Sequence, residues 1–280
     1  MTLKLNFLDR RVPNTLEGPL MSRIKIFACL IIFIGIGCQN ASADDARAIA
    51  EKAFQRGRGF GDERLTAVTY LINAKNDTVI RRTKNLTLER ANGEDYNLIQ
   101  FLEPADVRGT SLLTHQNPNG DDEQWLYLPE LRRVKKISSK NKSGAFMGSE
   151  FAYEDISGNS IGKYEYKKLG EAVLGGDACD LLEKTPLYQN SGYTKIKIWV
   201  SKSKHVVIRQ EMTDRKNTLL KVETFEGFKE YSNGTMLAQR ISIENVQTNK
   251  KSILEFTARE LKVGLKESDF TTESMERLLK

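Results

Sequence analysis

His115 and His205 are the only imidazoles in this chain, and each lies in a strand-like stretch with no serine or cysteine motif beside it. Neither H-E-x-x-H nor C-x-x-C occurs, so the spacings that hold catalytic zinc or a redox dithiol are missing. Two His and three Cys are too few for a zinc ribbon or an iron–sulfur framework. Asp121-Asp122-Glu123 follows a Pro-Asn-Gly turn but lacks the ligand spacing of a calcium loop; it reads as a charged turn. Tyr153-Glu154-Asp155 offers two adjacent carboxylates with no partner in sequence to divide acid and base roles between them. Gly57, Gly59 and Gly61 superficially resemble a phosphate loop, but no strand precedes them and the motif requires strand–loop–helix order; the segment reads as a connector from helix to strand. No catalytic residue, metal or cofactor is expected, and the chain is expected not to be an enzyme.

The elements that would position such residues are almost all strands. Residues 44–55 read as a helix, with Asp44 and Asp45 at its N-terminus and Ala46, Ile49, Ala50, Ala53 and Phe54 on one face. Beyond it the apolar residues alternate: Val68, Tyr70 and Ile72; Leu86 and Leu88; Ile196, Ile198 and Val200; Ile241 and Ile243; Leu254, Phe256 and Ala258. Asn76-Asp77, Asn92-Gly93, Pro118-Asn119-Gly120 and Asn233-Gly234 supply turns between them. About eleven short strands with hairpin turns imply one large antiparallel sheet, which must curl to protect its apolar face. With so little helix, the expected architecture is mainly β: an unclosed barrel with a few helices over its concave face, formed by residues 44–280 as a single domain.

One stretch departs from plain alternation. Phe101 to Thr110 (FLEPADVRGT) sets a proline and a glycine inside strand-like sequence, with Arg108 between them. Arg108 is either a polar anchor within the sheet or a surface arginine. Gln124 to Pro129 (QWLYLP) places Trp125 and Tyr127 on one face and Leu126 and Leu128 on the other, so one set must meet a helix or a cavity. A basic run follows: Arg132, Arg133, Lys135, Lys136, Lys140 and Lys142. Next comes GAFMGSEFAYED, whose Phe146, Met147, Phe151 and Tyr153 are unusually apolar for a glycine-punctuated loop. These side chains, with Trp125, Tyr127 and Trp199, are either ordinary core or the wall and lid of a lipid-binding cavity. The loop 138–157 is the proposed lid, with Gly144 and Gly148 as its hinges.

At these residues the chain resembles a known family. The strings FLEPADVRGTSLL, QWLYLPELRRVKKI and GAFMGSEFAYEDI, with the closing LKVGLKESDFTTESMERL, are similar to the LolA-like periplasmic proteins described as outer-membrane lipoprotein-sorting proteins. The resemblance extends over about residues 45–275. It implies an unclosed barrel of about eleven strands, plugged by helices, with an apolar cavity for the acyl chains of lipoproteins or lipids. It also implies transfer toward the outer membrane and, for some members, work beside an inner-membrane lipid exporter of the resistance-nodulation-division type. The alternative is a non-enzymatic accessory protein with a filled barrel that docks on such an exporter.

The N-terminus reads as an address. From Met21, Arg23 and Lys25 precede a dozen apolar residues, too few to span a bilayer, and Ala41-Ser42-Ala43 forms a small-x-small cleavage site. Residues 1–43 are therefore read as a signal-peptide region, with Met21 as a plausible true start and a mature chain from Asp44. A second site, Gly35 to Cys38, resembles a lipobox in which Cys38 is acylated. The full chain carries a net charge of +6. Removing residues 1–43 takes away five of 43 bases and two of 37 acids and leaves about +3, too mild a charge to argue for nucleic acid. A periplasmic protein is expected, with transient contact at a membrane surface through its basic run.

Overall fold

The computed structural model describes residues 40–91, 93–158 and 160–277. Met21, the apolar leader and Cys38 lie outside the described residues, as does Asn92 of the Asn-Gly turn. Helix α1 (Asn40–Arg56) begins four residues earlier than its acidic pair suggests. Its face is the one the spacing implies: Ala46 and Ala50 are buried, and Ile49 and Ala53 pack on the same cluster. No helix among the described residues is long and apolar enough to cross a membrane.

Fifteen strands follow. They are β1 (Asp62–Ile72), β2 (Thr78–Leu88), β3 (Tyr96–Glu103), β4 (Ser111–His115), β5 (Glu123–Leu128), β6 (Arg133–Lys136), β7 (Tyr164–Leu174) and β8 (Asp177–Pro186). The remainder are β9 (Tyr193–Ser201), β10 (Val207–Asp214), β11 (Leu219–Glu226), β12 (Lys229–Glu230), β13 (Met236–Leu237), β14 (Arg240–Asn245) and β15 (Lys250–Leu261). Thirteen form one antiparallel sheet in the order β6-β5-β4-β3-β2-β1-β15-β14-β11-β10-β9-β8-β7, and β12 pairs with β13 around the Asn233-Gly234 turn. The expectation of about eleven strands falls short because β7 alternates charged with half-buried residues along much of its length and β6 is only four residues long. Neither carries the apolar period by which strands are recognised.

Two features of this order place the site. The last strand, β15, returns to pair with β1, so the two ends of the sequence meet mid-sheet. The free edges are β6 and β7, consecutive in sequence and not paired with each other, so the sheet is open. The segment joining them, residues 137–163, contains helix α2 (Tyr153–Ile156) and short 3-10 turns.

Both faces of the β2–β5 region are covered. On one face Leu86, Leu98, Leu113, Trp125 and Tyr127 pack under Phe270 and Met275 of the C-terminal segment. Gln100 Nε2 donates to the Arg277 carbonyl (2.9 Å), Ser111 Oγ donates to the Met275 carbonyl (3.1 Å), and His115 Nε2 lies 2.8 Å from the Phe270 carbonyl. A carbonyl only accepts, so His115 Nε2 is the donor in this bond. On the opposite face Phe101, Leu112 and Leu126 pack against Phe146 of the 137–163 segment. A third cluster joins α1 to β7–β11 and β14 through Tyr164, Leu182, Ile196, Ile198 and Met212.

Candidate functional site: the cavity beneath residues 138–157

The concave face of the sheet is set by two-residue alternation. On β2, Leu86 and Leu88 point to the outer cluster, so Arg81, Thr83, Asn85 and Thr87 point inward. On β3, Asn97, Ile99 and Phe101 do the same. Glu63, Leu65 and Leu71 of β1 and Leu254, Phe256 and Arg259 of β15 continue the wall. Across it lie Ile196, Gln210, Met212, Glu223 and Phe225. The 138–157 segment closes one side with Phe146, Met147 and Phe151. The cavity is about 360 Å3. A second space of about 360 Å3, between α1 and the β12–β13 hairpin, shares Gln210, Phe225, Ile241, Phe256 and Arg259 with it. Each lies within the range that takes a small or chain-like ligand.

The loop that forms the roof is built from its own residues. Ala145 and Ala152 make a bridge, and Phe146 N donates to the Phe151 carbonyl (2.7 Å). Between them Met147 (φ 50°) and Gly148 (φ 75°) take left-handed backbone, which reverses the chain. Phe146 meets Phe101 at 5.7 Å and Tyr153 edge-on at 5.3 Å. Arg81 Nη1 donates to the Met147 carbonyl, which ties the loop tip to β2. Glu150 N donates to Ser252 Oγ (2.9 Å), and Asn245 Nδ2 donates to Glu150 (3.0 Å).

The base of the loop is held by buried carboxylates. Glu154 accepts from Tyr188 (3.0 Å), Ser191 (2.8 Å) and Gly192 N (2.8 Å). Asp155 accepts from Tyr193 (2.8 Å), Lys221 (3.3 Å) and Ala152 N (2.7 Å). The pair that looked partnerless in sequence therefore clamps the loop to β9, β11 and the turn before β9. Burial raises the Glu154 pKa, and the hydrogen bond from Gly192 N partly offsets this. Asp122, read as part of a charged turn, is buried and pairs with Lys163 at 2.6 Å. Its carbonyl accepts from Lys142, so one residue holds both ends of the 137–163 segment. Lys142 is thus withdrawn from the basic run, and burial lowers its pKa.

The cavity wall carries charge as well as apolar surface. Glu63 and Arg259 form a pair at 2.5 Å with both side chains buried. Glu223 accepts from Gln210. Burial, reinforced by the neighbouring Asp155, pushes its pKa up to about 7. Lys184, on the wall of the second space, is pushed down to about 8, also by burial.

The residues singled out from sequence separate into two groups. Phe146, Met147 and Phe151 line the cavity, and Tyr153 backs Phe146 from behind. Trp125 and Tyr127 lie on the opposite face of the sheet under the C-terminal segment. Trp199 faces away from Ile198 and Val200, beneath the Arg209 guanidinium at 5.5 Å. Arg108 is exposed and donates to the Leu102 carbonyl (3.0 Å), so it is a surface arginine rather than an anchor within the sheet. The inward cation of this region is Arg81. Neither it nor Asn85 stood out in the sequence, where only the alternating Leu86 and Leu88 were singled out. Only the covered outer face marks the other side of β2 as cavity wall.

Residues 158–162 read Gly-Asn-Ser-Ile-Gly and carry the G-x-S-x-G spacing. The spacing marks a nucleophile elbow only between a strand and a helix. Here Ser160 follows helix α2 and precedes a three-residue 3-10 turn, and His115 is engaged with Tyr96 (4.0 Å) and Phe270 on the outer face.

Comparisons with known proteins follow the same architecture. A family model whose description reads only "-like: Uncharacterized protein" matches residues 93–277. Among curated proteins none matches the chain. A domain from Vibrio parahaemolyticus named for outer membrane lipoprotein sorting is 40% identical, covering 84% of this chain and 100% of its own, with a TM-score of 0.82. A DUF1329 family protein from Desulfovibrio piger is 25% identical, covering 84% of this chain and 99% of its own, with a TM-score of 0.79. A LolA superfamily protein from Nitrosomonas europaea shares the fold at 22% identity and a TM-score of 0.68, covering 82% and 98% of the two chains. Identity of that extent along the full Vibrio domain, together with the open sheet and its roofed concave face, makes this chain a member of the family of that outer membrane lipoprotein-sorting domain, with a LolA-like fold.

Proposed function

We propose that this protein is a non-enzymatic periplasmic carrier that holds the acyl chains of a lipoprotein or lipid in the roofed cavity and passes them toward the outer membrane. The observation that carries the reading is the cavity of about 360 Å3 on the concave face, roofed by Phe146, Met147 and Phe151. It favours carriage over the filled barrel of the accessory reading. Burial of an acyl chain contributes about 0.8 kcal/mol per CH2. Displacing the roof side chains from their own contacts opposes this, which keeps the cargo releasable. The exposed cations Arg132, Arg133 and Lys135, beside exposed Leu131, support transient contact with anionic head groups, each worth ~1 kcal/mol near such a surface.

Native mass spectrometry of the protein extracted from its own periplasm tests this. The expected result is a chain beginning at Asp44 with co-purified lipid or acylated peptide. Lipid-free protein that also fails to bind a fluorescent fatty acid would sink the carrier reading, and an acylated Cys38 would replace the soluble carrier with an anchored one. Both tryptophans lie outside the cavity, so the fluorescence must be read from the ligand rather than from Trp125.

A further inference from the structure

One end of the cavity is polar in a way that acyl chains do not explain. Along β3 the inward residues run Asn97, Ile99, Phe101, from polar to apolar in two-residue steps. Thr87 of β2 is the cross-strand partner of both Asn97 and Glu63, so these three residues make a continuous row, with Asn85 one step further in. The Glu63–Arg259 pair closes the row. Asn97 Nδ2 donates to Thr87 Oγ1 at 3.1 Å. The Oδ1 atoms of Asn97 and Asn85 are both buried and have no hydrogen-bond partner among the described residues. The Asn85 side chain is more than nine-tenths buried, and both residues line the cavity. Buried amide oxygens are nearly always satisfied, and an orphan acceptor at a cavity wall is a place for a ligand's donor.

We infer that Asn85 and Asn97 form a subsite for an uncharged hydrogen-bond donor, a hydroxyl or an amide N–H, carried on the polar end of the cargo while its chain lies over Ile99 and Phe101. The inference rests on the carrier reading and specifies its cargo as an amphiphile whose polar end carries a hydrogen-bond donor. An anion is disfavoured at this end because Arg259 is already compensated by Glu63. Two kinds of cargo supply such a donor: glycerolipids with a free hydroxyl, and amide-linked lipoprotein chains.

The test is displacement of a bound fluorescent fatty acid by three probes sharing a twelve-carbon chain: 1-monolauroylglycerol, N-ethyldodecanamide and methyl laurate. We expect at least one of the two donor-bearing probes to bind about tenfold more tightly than the ester, which has no donor. The better of the two indicates the source. In Asn85→Leu/Asn97→Leu the preference should fall to about unity while the ester binds as well as before. Asn85→Ala and Asn97→Ala, each smaller than the native side chain, give the same reading where the leucine variant does not fold. Equal affinity of all three probes for the native protein, as when water satisfies both oxygens, overturns the subsite and leaves the carrier standing; so does a preference that survives the substitutions. Absence of binding by every probe overturns the carrier reading and the subsite together.

Discussion

Glu223 is an acid withdrawn from water on the wall of the cavity, with the Gln210 amide bonded to it. Burial first, then the nearby Asp155, raises its pKa from 4.5 to about 7, against the pull of Gln210, Lys184 and Lys221. The sign follows from proton counting. Between about 4.5 and 7 the folded chain keeps a proton that the unfolded chain has lost. The stability contributed by this group is therefore complete below the unfolded pKa and lost as pH rises through about 7. Glu223→Gln should remove that dependence, so the variant's melting temperature should gain on the native protein's between pH 5 and pH 8. The ceiling is on the order of 3 kcal/mol. A difference that stays constant over that range would mean that Glu223 titrates as an ordinary surface carboxyl.

The 138–157 loop is an element whose ends and tip are held differently. Its ends are fixed by groups that are expensive to break: the bond of Lys142 to the Asp122 carbonyl and the carboxylates of Glu154 and Asp155. Its tip rests on fewer polar contacts: the Arg81–Met147 bond, the bonds of Glu150 to Ser252 and Asn245, and the packing of Phe146 on Phe101. A lid of this construction opens by its tip while its base stays clamped. Arg81→Ala should leave the sheet intact and shift the melting temperature by only a few degrees. Hydrogen exchange of residues 145–149 should rise by an order of magnitude or more, with Tyr153–Ile156 little changed. Uniform protection throughout 138–157 in the variant would show that the tip is ordinary core and no lid exists. The glycine and aromatic content of this loop was legible in sequence. The clamps were not, because most of them join residues 30 or more positions apart and only folding sets a carboxylate beside its donors.

At the scale of the whole molecule, the last residues of the chain cover the outer face of the sheet. Phe270 is almost wholly buried against Tyr96 and the β2–β5 cluster. Phe270→Ala should cost about 3–5 kcal/mol, read as a lowered melting temperature with red-shifted emission from Trp125 beneath it. A loss under 1 kcal/mol would mean that the C-terminal segment is not part of the core. This segment also decides what the two faces of the sheet mean. The sequence by itself determined the β class, the hairpin order, the helix before the first strand, the family resemblance and the unusual apolar loop, because strand alternation, turn residues and long motifs are local properties. It left Trp125, Tyr127 and Trp199 as either cavity wall or core, and did not single out Thr83, Asn85 or Thr87. Alternation tells which residues share a face and never which face is enclosed. That was decided only when β15 returned to pair with β1 and the C-terminal segment covered the outer leucines. The polar side of β2 was thereby left to line the cavity.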